Sequence, residues 1–180
     1  FVCLCPLRQL SLLFPYTTLV RSHPIDFTSV GETIYFSSEV VSGKISGSVV
    51  SAWGASDDAG TWVSPVVLDT ATLGKIYGKF LKAPPLATLI AYYRGRIFLA
   101  SGPYLWATEL YLYDYMDKNK NFLTFESDIT MIAPVDDGIY LGTQNEVSFL
   151  SGSFGQGMPK QKLMSYGALR GSAVEAPLSA

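Results

Sequence analysis

The chain has 180 residues, of which 48% are hydrophobic and 16% charged, and its formal net charge is −2. This composition excludes a disordered chain, which needs fewer apolar residues, and the basic surface typical of nucleic-acid binding. Aromatic residues make up 13% of the chain and there are 16 glycines. Together they favour β structure, and the length fits one domain.

The N-terminal segment, positions 1–22, does not read as native sequence. The chain begins with Phe1, and positions 13–22 (LFPYTTLVRS) resemble a translated sequencing adapter, from which they differ at Val20. A signal peptide fits less well, because prolines interrupt the apolar stretch and no small-residue cleavage site follows. The stretch is also too short and broken to span a membrane. We predict that residues 1–22 are non-native and disordered, and that residues 23–180 form the folded domain as a fragment, with localisation left open.

An internal repeat runs through residues 23–180. The segments Thr88–Ser101 and Thr130–Thr143 align from end to end without a gap. The second half of this repeat recurs at Gly31–Ser38, where Ile34 corresponds to Ile97, and a shorter echo lies at Gly74–Gly78. The identical pairs in the long alignment are Thr88/Thr130, Ile90/Ile132, Ala91/Ala133, Ile97/Ile139 and Leu99/Leu141.

Each copy of the repeat predicts an antiparallel meander. A short apolar strand leads through a turn to a β-branched and aromatic strand, and a second turn leads to a third strand. A period of about 40–45 residues with about four strands is typical of a propeller blade. We therefore predict an all-β chain of blade-like repeats, either an incomplete β-propeller or an open array; a β-sandwich is the alternative. The predicted strands are Leu89–Ala91, Ile97–Ala100, Leu105–Thr108, Met131–Ala133, Ile139–Leu141 and Val147–Leu150, with turns at Arg94-Gly95 and Asp136–Gly138.

Motifs that could carry chemistry are better explained as turns. Asp117–Asn121 begins like a calcium-binding EF-hand loop, but Phe122 stands at the turn glycine, which favours a polar loop tip. Gly152–Gly157 lacks the Lys-Ser/Thr of a phosphate loop and is interpreted as a hairpin connection. Asp136-Asp137 occupies the slot that holds Arg94-Gly95 in the other copy, so a catalytic carboxylate pair is not expected; Asp57-Asp58 is likewise interpreted as a turn.

The sequence predicts no catalytic residue, no cofactor site and no metal site. His23 is the single histidine, and both cysteines, Cys3 and Cys5, lie in the non-native segment. A catalytic triad and a zinc site would each need more such groups.

Aromatic residues give the candidate interaction surface. Tyr111, Tyr113 and Tyr115 alternate along the chain, and with Trp106 they would form a contact surface if exposed. Residues Tyr104–Met116 could be a helix, but we predict a strand followed by a loop or one helical turn at Leu110–Tyr115. Such aromatic side chains could form a sugar-binding platform, but we favour their packing in the core or between sheets. The further members of that platform would be Trp53, Trp62, Tyr92, Tyr93 and Tyr104.

The segments Gly31–Ser37, Arg94–Gly102 and Asp128–Thr143 resemble a group of uncharacterised bacteriophage and prophage proteins with blade-like repeats. The resemblance extends from about Phe27 to Gly171, and the stretch Ile129–Thr143 carries most of it. The chain departs from the group at Thr108–Leu110, where a Ser-Glu-Pro turn is expected. The resemblance implies a non-enzymatic, tail-associated virion protein.

The expected partners are therefore other virion proteins, or copies of the chain that associate through strand edges. We expect neither nucleic acid nor a membrane as a partner. A carbohydrate-binding module is the alternative function, and a glycosidase-like propeller would need converging carboxylates in a pocket.

Overall fold

The computed structural model describes residues 24–54, 62–63, 80–154 and 157–170. No α-helix occurs in these ranges, and so none that is long and apolar enough to cross a membrane. The predictions for residues 1–22, Cys3, Cys5, His23, Asp57-Asp58 and Gly74–Gly78 lie outside them. The strands are β1 (Asp26–Val30), β2 (Thr33–Ser37), β3 (Ser42–Ser46), β4 (Val49–Ser51), β5 (Trp62–Val63), β6 (Phe80–Leu81), β7 (Leu89–Tyr93), β8 (Arg96–Ser101), β9 (Tyr104–Ala107), β10 (Phe122–Thr124), β11 (Ile129–Val135), β12 (Gly138–Thr143), β13 (Val147–Ser151) and β14 (Lys160–Met164).

These strands form three four-stranded sheets, each a consecutive antiparallel meander. Sheet 1 contains β1–β4, sheet 2 contains β7–β10 and sheet 3 contains β11–β14, while β5 and β6 pair separately. The prediction of an all-β chain of antiparallel blade-like repeats is confirmed. A two-sheet sandwich does not describe this arrangement, because three sheets succeed one another along the chain.

The sequence repeat is also a repeat of strand register. The gap-free alignment of the two long copies places β7–β8 and β11–β12 in the same pairing, and β1–β2 follows that pairing when Ile34 is matched to Ile97. The spacing from sheet 1 to sheet 2 is longer, and the extra chain lies between β4 and β7, where β5 and β6 occur. One equivalent pair from each sheet is Phe27–Phe36, Ile90–Leu99 and Ile132–Leu141.

Two-residue turns join the first two strands of each sheet, although their residues differ. Arg94 and Gly95 both have positive φ, 44° and 76°, as a type I′ turn requires. Asp136-Asp137 makes a turn of the same length, but Gly138 is the first residue of β12 and not part of the turn. A Cβ atom at Gly138 would lie 2.4 Å from the Leu150 carbonyl oxygen, so this glycine is required by the close approach of β13.

The middle sheet is buried on both faces. Successive residues of a strand point to opposite faces, and the consecutive residues Ile97–Ala100 of β8 are all almost completely buried. Their side chains divide between two cores, which we call the first core and the second core. The first core, between sheets 1 and 2, contains Tyr35, Trp53, Ala87, Ile90, Ile97 and Leu99. The second core, between sheets 2 and 3, includes Tyr93, Phe98, Ala100, Leu105, Ala107, Ile129, Ile139, Leu141 and Leu150.

The first strands of the three sheets lie side by side, with β7 packed against both β1 and β11. Asp26 at the start of β1 joins two of them, because its Oδ2 accepts a hydrogen bond of 2.8 Å from the Ile90 amide of β7. Its Oδ1 accepts another from the Phe27 amide at 3.0 Å. Burial raises the pKa of Asp26, and the two amide hydrogen bonds oppose that shift. A carboxylate thus satisfies a backbone amide at the boundary between two sheets.

We expect Ile97→Ala and Ile139→Ala each to lower the free energy of unfolding by about 2–5 kcal/mol, because both side chains are fully buried between sheets. The matched control is Ile34→Ala. Ile34 holds the same register position in sheet 1 but is 41% exposed, so its loss costs less than about 1 kcal/mol. Urea denaturation of dilute protein measures the three values. Equal losses at the three positions would contradict this stacking.

Candidate interaction surfaces

Residues 108–117 cross from β9 towards β10 as a series of turns. The Glu109 amide donates to the Tyr115 carbonyl at 2.8 Å, and the Tyr111 amide donates to the Gly95 carbonyl at 2.8 Å. The Met116 amide donates to the Lys82 carbonyl, also at 2.8 Å. The predicted loop is confirmed, and its conformation is fixed by hydrogen bonds to the β7–β8 turn and to Lys82.

The three alternating tyrosines differ in exposure, and the segment that carries them is not a strand. Tyr113 packs edge-on against Tyr35 and Tyr92, with ring centroids 6.0 and 6.1 Å apart, and borders the first core. Its carbonyl accepts a hydrogen bond of 2.9 Å from the Trp53 indole. Tyr111 is 72% exposed and its backbone has a φ of 57°. Tyr115 is partly buried, and its carbonyl accepts the hydrogen bond from the Glu109 amide.

Trp106 belongs to a different aromatic group. Its ring lies 5.7 Å from that of Tyr104 and 5.2 Å from that of Phe122, and it also packs against the first core. Tyr104 is partly exposed beside it. Of the four predicted surface residues, Trp106 and Tyr113 therefore border the first core, and Tyr111 is the most exposed.

An ion pair ties sheet 1 to this loop. Lys44 Nζ of β3 lies 2.5 Å from Asp114 Oδ2. The neighbouring Tyr35 phenol is buried in the first core. Burial raises the pKa of Tyr35 to about 12, and the charge of Asp114 and the phenol of Tyr113 act in the same direction. The joint between sheets 1 and 2 thus combines aromatic packing with a shielded ion pair.

The calcium-like segment is a compact turn. Asp117 Oδ1 accepts a hydrogen bond from the Asn119 amide at 3.0 Å, and the Asp117 carbonyl accepts one from the Asn121 amide at 2.8 Å. The buried Asn121 side-chain amide donates to Glu109 Oε1 at 2.7 Å. Within the described ranges, no group of three or more His, Cys, Asp or Glu side chains is placed to hold a metal ion.

A cleft of 120 Å³ separates the turn ends of sheets 2 and 3. The Arg96 guanidinium carbon lies 5.6 Å from the centre of the Phe154 ring. Burial lowers the pKa of Arg96, although the charge of Glu109 opposes that shift. Arg94 donates to the Asp136 carbonyl of the neighbouring turn at 2.6 Å. Both guanidinium groups therefore hold the turn ends of the sheets together. The lining residues are Tyr93, Arg94, Arg96, Phe98, Leu110, Ser153 and Phe154.

Sheet 3 ends in an exposed strand. Every residue of β14 is exposed, and β14 pairs antiparallel with β13, as a hairpin connection between them predicts. Of the predicted connection Gly152–Gly157, residues 155–156 lie outside the described ranges. Glu146 forms an ion pair with Lys160 and lies 3.6 Å from Lys162, and the hydrogen bond from Lys160 lowers the pKa of Glu146. This carboxylate fastens the last strand to the sheet.

The residues that join the sheets were not singled out from the sequence. Asp26 has the same register as Leu89 and Met131, because each pairs with the next-to-last residue of its copy of the repeat. A carboxylate at a position that is apolar in the other two copies could have identified Asp26 as a residue with a special contact. Arg96 and Glu109 gave no such signal, because their contacts depend on how the loop folds back.

No protein-family model matches the chain, and no curated protein sequence matches it.

We expect the free energy of unfolding to fall between pH 10 and about 12 because of Tyr35. An unfolded tyrosine ionises near pH 10, whereas folded Tyr35 keeps its proton to about pH 12. Within this window the unfolded chain has lost a proton that the folded state still holds. The stability that neutral Tyr35 contributes to the folded state is therefore lost progressively as the pH rises from 10 to about 12. Urea denaturation across the window should show a shallower fall for Tyr35→Phe than for the unsubstituted chain. Parallel pH profiles would contradict the raised pKa.

Proposed function

We propose that the chain is a non-enzymatic structural and interaction module of a phage or prophage virion, associated with the tail. The observation that carries the interaction role is the stack of three sheets, in which the middle sheet is covered on both faces while the outer sheets expose apolar side chains. Phe27 of sheet 1 and Tyr140 of sheet 3 are examples. Exposed apolar sheet faces favour contacts with other proteins.

The arrangement of charged groups supports a non-enzymatic role. A glycosidase-like site needs two carboxylates in one pocket. The cleft between sheets 2 and 3 has arginine, serine and apolar side chains in its described lining and no carboxylate. Asp26 and Asp114 bind an amide and a lysine where sheets 1 and 2 meet, and Glu146 binds a lysine of the last strand within sheet 3. These groups stabilise the packing of sheets and strands.

The virion assignment depends on the resemblance of Ile129–Thr143 to phage and prophage proteins, and the source strain can test it. We expect peptides of residues 23–180 in density-purified phage particles after induction, at amounts comparable with those of tail proteins, and tail genes beside the complete reading frame. Mass spectrometry of the particles, with the uninduced strain as control, provides the measurement. Peptides confined to the cell fraction, together with metabolic neighbouring genes, would overturn the assignment.

A carbohydrate-binding module is the second candidate, favoured by the ring group of Tyr104, Trp106 and Phe122. The three ring centroids lie between 5.2 and 6.4 Å from one another, and Tyr104 is 42% exposed. Aromatic faces of this kind are suited to packing against the apolar faces of sugar rings.

If this candidate is right, calorimetry with bacterial surface oligosaccharides should detect binding. Tyr104→Ala should weaken that binding at least about tenfold because it removes the exposed ring. Tyr111→Ala, which removes an exposed ring elsewhere, should leave it unchanged. Equal effects of the two variants, or no heat of binding with any oligosaccharide, would exclude the ring group as a sugar site.

A further inference from the structure

The two joints between sheets use the same register positions. On the sheet that comes later in the chain, the joint is made by three apolar positions, which are Ile90, Ile97 and Leu99 in sheet 2 and Ile132, Ile139 and Leu141 in sheet 3. On the earlier sheet, two positions are shared by both joints, which are Val30 and Tyr35 in sheet 1 and Tyr93 and Phe98 in sheet 2. Sheet 2 adds Leu89, Ala100, Leu105 and Ala107 to the second core. Each sheet thus has a receiving face, with the three positions, and an inserting face, with the two.

One face of each kind has no partner sheet among the described residues. The receiving positions of sheet 1 are Phe27, Ile34 and Phe36; Phe27 is 68% exposed and Ile34 is partly exposed, while Phe36 is buried. The inserting positions of sheet 3 are Val135 and Tyr140, which are 37% and 39% exposed. All five side chains are hydrophobic or aromatic, as at the two joints that are formed.

Resting on the proposed role as an interaction module, we infer that these two faces bind each other between two copies of the chain. The inserting face of sheet 3 packs on the receiving face of sheet 1 of a second copy, and so continues the stacking already present twice within one chain. The argument is the continuity of register: four side chains exposed at the two ends of the stack hold positions that are packed at the two joints. They are Phe27, Ile34, Val135 and Tyr140.

The chemistry at the sheet 3 face fits a ring-mediated contact. Tyr140 packs against Phe149 of β13, with ring centroids 4.9 Å apart, and in sheet 2 the equivalent Phe98 packs in the second core. When two different faces of a chain bind each other, the contact is head-to-tail. Repeated contacts of this kind close into a ring when the rotation from one copy to the next allows it. Two copies would bring six such sheets together, and closed rings of about four to eight sheets are known for blade-like folds.

The test measures the mass of the whole chain by sedimentation across a concentration series. The unsubstituted chain should reach at least twice the mass of one copy. Tyr140→Asp on the inserting face and Ile34→Asp on the receiving face should each raise the dissociation constant at least about tenfold, because each places a charge in an apolar contact. Tyr111→Asp, a charge on an exposed ring outside both faces, should leave it unchanged. Val135→Asp and Phe27→Asp replace the first two variants if circular dichroism shows that either fails to fold.

Mixing the two deficient variants gives the sharpest result. Each variant keeps one intact face. The Tyr140→Asp variant keeps the receiving face of sheet 1, and the Ile34→Asp variant keeps the inserting face of sheet 3. We expect the mixture to form a dimer of one copy of each, while either variant alone stays monomeric. No association in the mixture, or association of one variant with itself, would overturn the head-to-tail contact.

The outcomes separate this contact from the proposed function. A chain that is monomeric at every concentration, or loses association on Tyr111→Asp alone, overturns the inferred contact. Such a chain could still be found in phage particles, and the virion assignment would then stand. A chain that associates through the two faces but is absent from particles would leave the contact established and the virion assignment wrong.

Discussion

The constraint on which this structure depends is the burial of sheet 2 on both faces. A strand with one solvent face can alternate apolar and polar residues, but a strand between two cores cannot. The consecutive residues Ile97–Ala100 of β8 are all almost completely buried, and their side chains alternate between the first and second cores. Sheets 1 and 3 can pack on sheet 2 because it offers an apolar surface to each of them.

Polar contacts then set the alignment of the sheets, while the apolar cores supply most of the stabilisation. The Asp26 carboxylate binds an amide of β7, Lys44 pairs with Asp114, and Arg94 donates to the turn of sheet 3. Each of these contacts is directional, so it favours one relative position of two sheets, whereas hydrophobic packing is not directional. Such groups serve the packing of one sheet on the next.

The sequence predicted the sheets well but not how the loop of residues 108–117 folds back, for identifiable reasons. The Thr88–Ser101 and Thr130–Thr143 segments aligned without a gap, and strand pairing is local, so their register could be inferred from the repeat. The alternation of Tyr111 and Tyr113 suggested a shared face, but that inference requires a strand. The loop instead folds back through hydrogen bonds to Gly95 and Lys82, contacts distant in sequence that a periodic pattern does not encode.

The unequal spacing of the repeats has a consequence for how this chain can change. Only positions 125–128 connect β10 to β11, whereas positions 52–88 separate β4 from β7, yet the pairing in the three sheets is the same. The pairing within each sheet is therefore compatible with connecting segments of different length. Insertion of a foreign epitope or a whole domain between β4 and β7 should leave that pairing unchanged if it spares Trp53, Lys82 and Ala87, which contact sheet 2 or its loop.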